Sequence, residues 1–478
     1  GIYMIEERHT DQRDFNFAAN VSHTFRNQSI LRGGVSARIN RTEYYDEVKD
    51  LLGADYWLDV DKFALRDNGY SDPSIYQNDL LYYLEHGDAR HVKEGDKFGY
   101  DYYAHLRQAQ LWAQYNATFG SFAMTLGGEV GYTSMWREGL LMKGLFSDNS
   151  LGNSEKLDYL TYKLKGEFAY RFSGGHSVSA NVAYMVNPPQ FRDAFVSART
   201  RNTTTPGLDS EKVFGLDLNY DITLPWITAR ISGYYTTITD QSKVISYYDD
   251  TQSSYTNFAM SGIDKRYYGL EVGVEVPIWG GISFTSNANF TQTRDNSEEV
   301  LRGDKVLWKD LHVESSPQTA VNVGLNFRGP RNWFASVDFN YYDRIYLSMN
   351  PARRTTATYS TVLRPGETAQ LPGMVKMEAL NALREQETFD PAYTLSLSVG
   401  KNWYIYNNYQ LGFSLSVNNL LNDQTIRTGG YEQMRLSRRT YVNKEGASVQ
   451  PIQYYTPFDS KYFYLLGTTY YLNVYFRF

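Results

Sequence analysis

The chain of 478 residues contains no cysteine. That excludes a disulfide framework, a thiolate nucleophile and any thiolate-bound metal. It also lacks any run of about 18 apolar residues, so no segment can cross a bilayer as a helix. Neither sign of charge is in large excess. The net charge of -6 over so long a chain is too mild to suggest a nucleic-acid partner. Catalytic signatures are missing too: no Gly-x-Ser-x-Gly, His-Glu-x-x-His or Walker segment occurs. The seven histidines (His9, His23, His86, His91, His105, His176 and His312) are scattered, and His86 or His91 beside Asp88 is the nearest imitation of an acid–base pair. The expectation is a chain that is not an enzyme, with no catalytic residue, no cofactor and no metal centre.

Aromatic residues are plentiful instead. The chain has 42 Tyr, 25 Phe and 8 Trp, in a sequence whose mean hydropathy is only -0.50. A soluble domain is leaner in rings. A transmembrane β-barrel is not, because rings form girdles at both interfaces while the lumen and loops stay polar. The last nine residues show the pattern plainly. Tyr470, Leu472, Val474, Phe476 and Phe478 share one face of a strand, with Tyr471, Asn473, Tyr475 and Arg477 on the other. An alternating strand with a terminal aromatic is how outer-membrane barrels finish, so Tyr470, Phe476 and Phe478 are candidates for the signal read by the barrel-assembly machinery.

Strand-like segments come in pairs: near 14–26 and 29–44, 100–118 and 121–139, 154–172 and 176–187, 209–223 and 226–247. The series continues near 258–277 and 281–295, 313–328 and 331–346, 391–403 and 408–421, and ends at 466–478. Connections inside pairs are tight, as at Ser173-Gly174-Gly175, Leu224-Pro225 and Gly329-Pro330. Connections between pairs are long, at 45–99, 347–390 and 422–465. Sorting of loops by parity is the outer-membrane arrangement, with turns to the periplasm and long loops outside. A soluble sheet packed on a core shares the period of two, but its strands average about five or six residues, far shorter than these.

The same alternation assigns faces. Along 162–172, Tyr162, Leu164, Phe168, Tyr170 and Phe172 oppose Lys163, Lys165, Glu167 and Arg171. A Lys or Arg facing lipid costs about 2–4 kcal/mol at mid-bilayer, so the charged face turns to the lumen. Lys163, Lys165, Glu167, Asp217, Asn219, Asp338 and Asn340 are the expected lumen lining. The fold class is therefore all-β: a transmembrane antiparallel β-barrel with about fifteen strands and long extracellular loops, embedded in outer-membrane lipid. Single-chain barrels close with an even number of strands, and the chain opens Gly1-Ile2-Tyr3-Met4 with no secretory signal. Residues 1–478 are thus expected to be the C-terminal part of one barrel domain, with further strands upstream.

Several segments resemble the TonB-dependent receptors, most closely the Oar-like (carboxypeptidase-regulatory-like) group of Bacteroidota. They are Asp50 to Asp67 in the first long loop, Phe191 to Asn202 followed by Pro206 to Glu211, Pro317 to Leu325 with Asn350 to Thr355, and Val417 to Asp423. The resemblance implies a 22-stranded barrel closed by an N-terminal plug, energised through TonB acting on a box ahead of that plug. Plug and box are not in these residues. It further implies uptake of a ligand too large for porins, with a surface lipoprotein as a conceivable partner. The competing reading is a receptor-like scaffold for surface lipoproteins or an outer-membrane machine, without transport. A passive porin is the third.

Loop sites are weaker. Asp59 and Asp61 suggest a cation or ligand site, but neither they nor Asp67-Asn68-Gly69 complete a calcium-loop spacing. A solvated, partly helical loop capped by Ser74 ahead of Ile75 to Glu85 is the preferred reading. Arg199, Arg201, Arg353 and Arg354 could clamp anionic ligand groups, or pair with loop acids or lipid phosphates. Tyr247, Tyr248 and Tyr255 fit interfacial girdle duty.

Overall fold

Fifteen long strands, each bonded to its sequence neighbours, form one antiparallel meander in the computed structural model. The structure describes residues 3–67, 72–249, 254–297, 300–301, 304–305, 308–314, 316–354, 385–405, 409–433, 435–441 and 452–478. We label the long strands β1 (Ile5–Thr24), β2 (Ile30–Asp50), β3 (Lys97–Phe119), β4 (Phe122–Gly139), β5 (Leu157–Arg171), β6 (His176–Asn187), β7 (Glu211–Leu224) and β8 (Ile227–Asp249). Then follow β9 (Ser254–Trp279), β10 (Ile282–Ser297), β11 (Thr319–Arg328), β12 (Trp333–Asp343), β13 (Ala392–Ile405), β14 (Tyr409–Asn418) and β15 (Thr469–Arg477). Two short strands bring the sheet to 17 among the described residues. Among those residues β1 bonds only to β2 and β15 only to β14, so the two edges of the sheet do not meet.

The odd-numbered connections have two to five residues and the even-numbered ones are long, except that only four residues separate β8 from β9. Two residues link β3 to β4, β7 to β8 and β9 to β10. Gly280 and Gly281 make the last of these turns with φ of 60° and 84°. Such angles suit glycine, and a Cβ on Gly281 would also strike the Arg328 carbonyl.

Outward side chains form an apolar band. On β2 it runs from Leu31 through Val35 to Ile39, and on β5 from Leu160 through Leu164 to Phe168, all exposed. Eight residues from Leu31 to Ile39 rise about 26 Å along the strand at ~3.3 Å each, close to the ~25 Å apolar belt of such barrels. Trp226 and Trp279 mark its tight-turn rim, both exposed. The dry clusters lie at the other end: Val48, Leu51, Val92 and Phe98; Met135, Ala194 and Phe195; Ile345, Leu347 and Phe389. Among the described residues, the long loops carry these small cores of their own.

Two boundaries differ from the sequence reading for one reason. β1 begins at Ile5, not near 14, and β2 runs to Asp50. Above the apolar band both faces are polar, so the alternation that reveals a strand disappears while the ladder continues. β11 begins at Thr319 instead of 313. The loop helix is shorter than expected. It spans Leu80–His86, and its cap is Asp79, which accepts from the Tyr82 amide. Ser74 donates to Asp72 in a local turn instead.

Candidate functional site

The pleat decides which side chains line the concave side. On β5, Lys163, Lys165 and Glu167 oppose the outward Leu164 and Phe168, and Lys163 Nζ donates to Glu129 Oε1 on β4 at 2.8 Å. With Trp112, Gln114 and Asp217 they border a hollow of about 570 Å³. Asn219 follows Asp217 on the same face of β7, opposite Ser179 and Ser232. A second hollow of about 840 Å³ is bordered by Arg230, Glu271, Glu275, Asn322 and Asn340. There Asn322 donates to Asn340 at 2.9 Å and Asn340 donates to Thr394 at 3.3 Å, a ladder of amides across three strands. Asp338 lies opposite Gly324, whose missing side chain leaves the carboxylate its room. These hollows offer hydrogen bonds and charge of both signs.

Above the wall, the loops between β2 and β3, β4 and β5, and β6 and β7 interlock. Asp59 is 1% exposed and both its oxygens are occupied. Oδ1 accepts from Asn78 at 2.9 Å and from the Gly99 amide at 2.9 Å, and Oδ2 accepts from Arg90 at 2.7 Å. Lys143 is buried beside them, donating to Asn78 Oδ1 at 2.9 Å and to the Gly99 carbonyl. Burial pushes its pKa down to about 8, against the pull of Asp59 and Asp61. Asp61 caps the helix Lys62–Asp67 by accepting from the Phe63 and Ala64 amides. Both oxygens of Asp59 and Oδ1 of Asp61 are therefore engaged in the loop's own fold.

Arg199, Arg201 and Arg354 are held at three separate places. Arg199 is exposed and lies 4.9 Å over the Tyr100 ring, at the rim of the concave side. Arg201 lies 4.6 Å over Phe146. Arg354 is 1% exposed and forks onto Glu432 with distances of 2.5 and 2.8 Å, tying the loop after β12 to the loop after β14. The side chain of Arg353 lies outside the described residues, as does that of Asp249; Tyr255 is exposed, 6.1 Å from Phe63, and Tyr248 lies under Arg435. His86 and His91 stack on Tyr82 and Tyr56 at 4.0 and 3.9 Å. The sequence reading missed Arg137, which is 1% exposed and donates to the carbonyls of Ser150 and Ala198 and to Asn202. Nothing in its spacing signals that role, because its partners come from loops 13 to 65 residues away.

Glu7, His9 and Glu47 form the one group of potential metal ligands among the described residues. Lys49 already pairs with Glu7 at 2.9 Å, and the cluster reads as an ion network at the loop end of β1 and β2.

The fold and this wall have clear counterparts. Among solved structures, a copper transporter, OprC, matches with a TM-score of 0.60 at 12% identity, over 98% of this chain and 57% of that one. The ferric citrate transporter FecA in its unliganded form matches at 0.56 and 11%, over 98% and 55%. The ferric yersiniabactin uptake receptor FyuA from Yersinia pestis matches at 0.52 and 12%, over 99% and 54%. The chain thus spans little more than half the length of these proteins. No curated protein matches it. No helix among the described residues is long and apolar enough to cross a membrane, which says nothing about crossing by strands. Residues 5–420 match the family described as TonB dependent receptor-like, beta-barrel, a family of receptors and transporters and not of enzymes. The chain belongs to the TonB-dependent receptor family of outer-membrane β-barrels.

Proposed function

We propose that this chain is the C-terminal barrel portion of an importer energised through TonB, taking up a ligand too large for porins. The observation that carries the reading is the polar concave wall beneath folded loops. Hollows of about 570 and 840 Å³ present Lys163, Lys165, Glu167, Arg230 and Asn340 directly below loops that have their own buried cores. A passive pore has no need of loops so heavily cross-linked. The plug and the segment engaged by TonB belong, in this reading, to sequence upstream of residue 1, in the manner of the Oar-like group. Arg199 at the rim is the proposed first contact for an anionic ligand, and the wall residues Asp217, Asn219 and Asp338 would follow it inward. Tyr470, Phe476 and Phe478, all exposed on the outward face of the last strand, serve as the proposed assembly signal.

The similar structures are named for copper, ferric citrate and ferric yersiniabactin. A charged wall of mixed sign suits a polar, hydrated cargo of that general kind and selects no single one. The test is single-channel recording of the full-length protein in planar bilayers, paired with uptake in cells. A closed receptor gives almost no conductance, and uptake stops when the proton gradient is collapsed. Large steady conductance would establish a porin instead. Silence together with gradient-independent growth and no loss of any uptake on deletion would favour the scaffold.

A further inference from the structure

Away from the lumen, the outward face of β1, β2 and β3 carries three arginines within one outward step of the same height. Arg13 stands directly opposite Arg41 in the β1–β2 ladder, and Arg107 stands opposite Ile39 in the β2–β3 ladder. Counting outward positions by twos, Arg13 is one step above Phe15 and Arg41 one step above Ile39. Phe15 and Ile39 are 64% and 55% exposed and form the upper edge of the apolar band here. The arginines therefore sit where hydrocarbon ends, on the side of the long loops.

Like charges directly opposite across a ladder destabilise it unless something neutralises them. No described carboxylate does so: none lies within ion-pair distance of Arg13, Arg41 or Arg107. The acids one step higher are engaged elsewhere. Asp11 accepts from the Tyr45 hydroxyl at 3.1 Å, and Glu43 is held by Lys97. His105, between Arg41 and Arg107, is bonded to Glu138 at 2.7 Å and stacked on Trp136. The guanidiniums rest on rings instead: Arg41 lies 4.6 Å over Tyr103 and Arg107 lies 5.0 Å over Trp136, with Lys156 also over Trp136 at 5.2 Å. Rings hold these cations flat against the wall without neutralising them. The result is an outward patch of four cations in an aromatic bed, bordered below by apolar wall.

We propose that this patch binds the phosphate groups of an anionic lipid in the outer leaflet. A guanidinium fork matches a phosphate bidentately, and one phosphate between Arg13 and Arg41 removes the repulsion that the register imposes. Position decides for a lipid over a free anion: the acyl chains of a bound lipid lie on Phe15, Ile39 and Leu111, all exposed directly below. Each basic group near such a surface adds measurably to the attraction.

The test uses the full-length receptor in non-ionic detergent, with bisphosphorylated lipid A and its dephosphorylated counterpart as probes, read by native mass spectrometry. The bisphosphorylated probe is expected to bind about tenfold or more tighter, and R13Q/R41Q/R107Q to lose about that factor. R13K/R41K/R107K keeps most of the affinity, and excess inorganic phosphate fails to displace the lipid. Heat-dependent migration in gels verifies that each variant is folded. Equal binding by wild type and the glutamine variant overturns the proposal, as does full displacement by inorganic phosphate. Should the glutamine variant not assemble, the wild type still decides, because equal affinity for the two probes overturns it as well.

Discussion

Arg90 Nη2 donates to Asp59 Oδ2 at 2.7 Å, and the carboxylate that receives it has no solvent exposure at all. This bond ties the start of the first long loop to its end. The same carboxylate holds Asn78 and the Gly99 amide, so four separate stretches of chain converge on one charge. Removing one partner of a buried pair costs about 3–5 kcal/mol, because the other is left charged in a dry place. Asp59→Ala is expected to loosen residues 51–96 by that order while the strands stay intact. Hydrogen exchange by mass spectrometry reads it: faster exchange in the loop and unchanged exchange in β5 to β8. Unaltered loop protection in the variant would mean that the bond is incidental.

Lys143 gives the same cluster a pH dependence of definite sign. Its pKa in the folded loop is pushed to about 8 by burial, below the ordinary lysine value of 10.5. Between those values the unfolded loop holds a proton that the folded loop has released, so stability rises with pH across the window. Below about pH 8 both forms are protonated and the cost of burying the charge is fully felt. Moving from neutral pH to about 9.5 should stabilise the loop by on the order of 2 kcal/mol. Protease resistance of residues 51–96 should therefore increase with pH in this range. Lys143→Met removes the dependence, and a resistance that falls between about pH 8 and 10 in the wild type would contradict the assignment.

Arg354 and Glu432 are the second such lock, joining the loops after β12 and β14 through a forked pair with one of the two side chains 2% exposed. Glu432→Ala strips the buried Arg354 of its forked carboxylate, while the Asn350 carbonyl still accepts from it at 2.9 Å. The expected loss is again several kcal/mol, confined to residues 344–354 and 427–433. Limited proteolysis with the barrel held folded in detergent would show new cleavage there. Glu432→Gln, which keeps the shape but drops the charge, is expected to fall between wild type and alanine.

Much of this wall could be read from residue order, because a period of two is visible wherever one face meets lipid. Tyr162 to Phe172 and Val321 to Phe327 fixed their own faces in that way. The visibility stops where lipid stops. After Ile5 the next eight residues of β1 are polar on both sides, so Ile5 to Arg13 looked like loop, although their ladder to β2 is unbroken apart from one shift at Ile5. Loop sites were legible only as composition. Asp59 and Asp61 are acids in a long polar segment, and nothing local tells a ligand-facing carboxylate from one buried beneath Arg90. The difference is made by Gly99 and Lys143, which are 40 and 84 residues further along, and such pairings have no local signature.

The alternation itself can be tested at two adjacent positions on β5. Leu164 points outward and is 59% exposed, while Lys165 turns to the concave face and borders the 570 Å³ hollow. A cation forced onto the lipid face costs about 2–4 kcal/mol at mid-bilayer and less near the interfaces. Leu164 has Leu160 four residues toward the loops and Phe168 four residues toward the turn, so it sits near the middle of its band. Leu164→Arg should therefore lower folding stability in lipid vesicles by about 2–4 kcal/mol, measured by urea titration of the folded fraction. Lys165→Leu puts an apolar group into a hydrated wall already rich in polar neighbours, and should change stability by less than about 1 kcal/mol. The ratio matters more than either value. Equal costs at the two sites would mean that the faces are not distinguished by lipid, and a larger cost at Lys165 would mean that the strand sits in the opposite register, with Lys163 and Glu129 pairing outside the barrel.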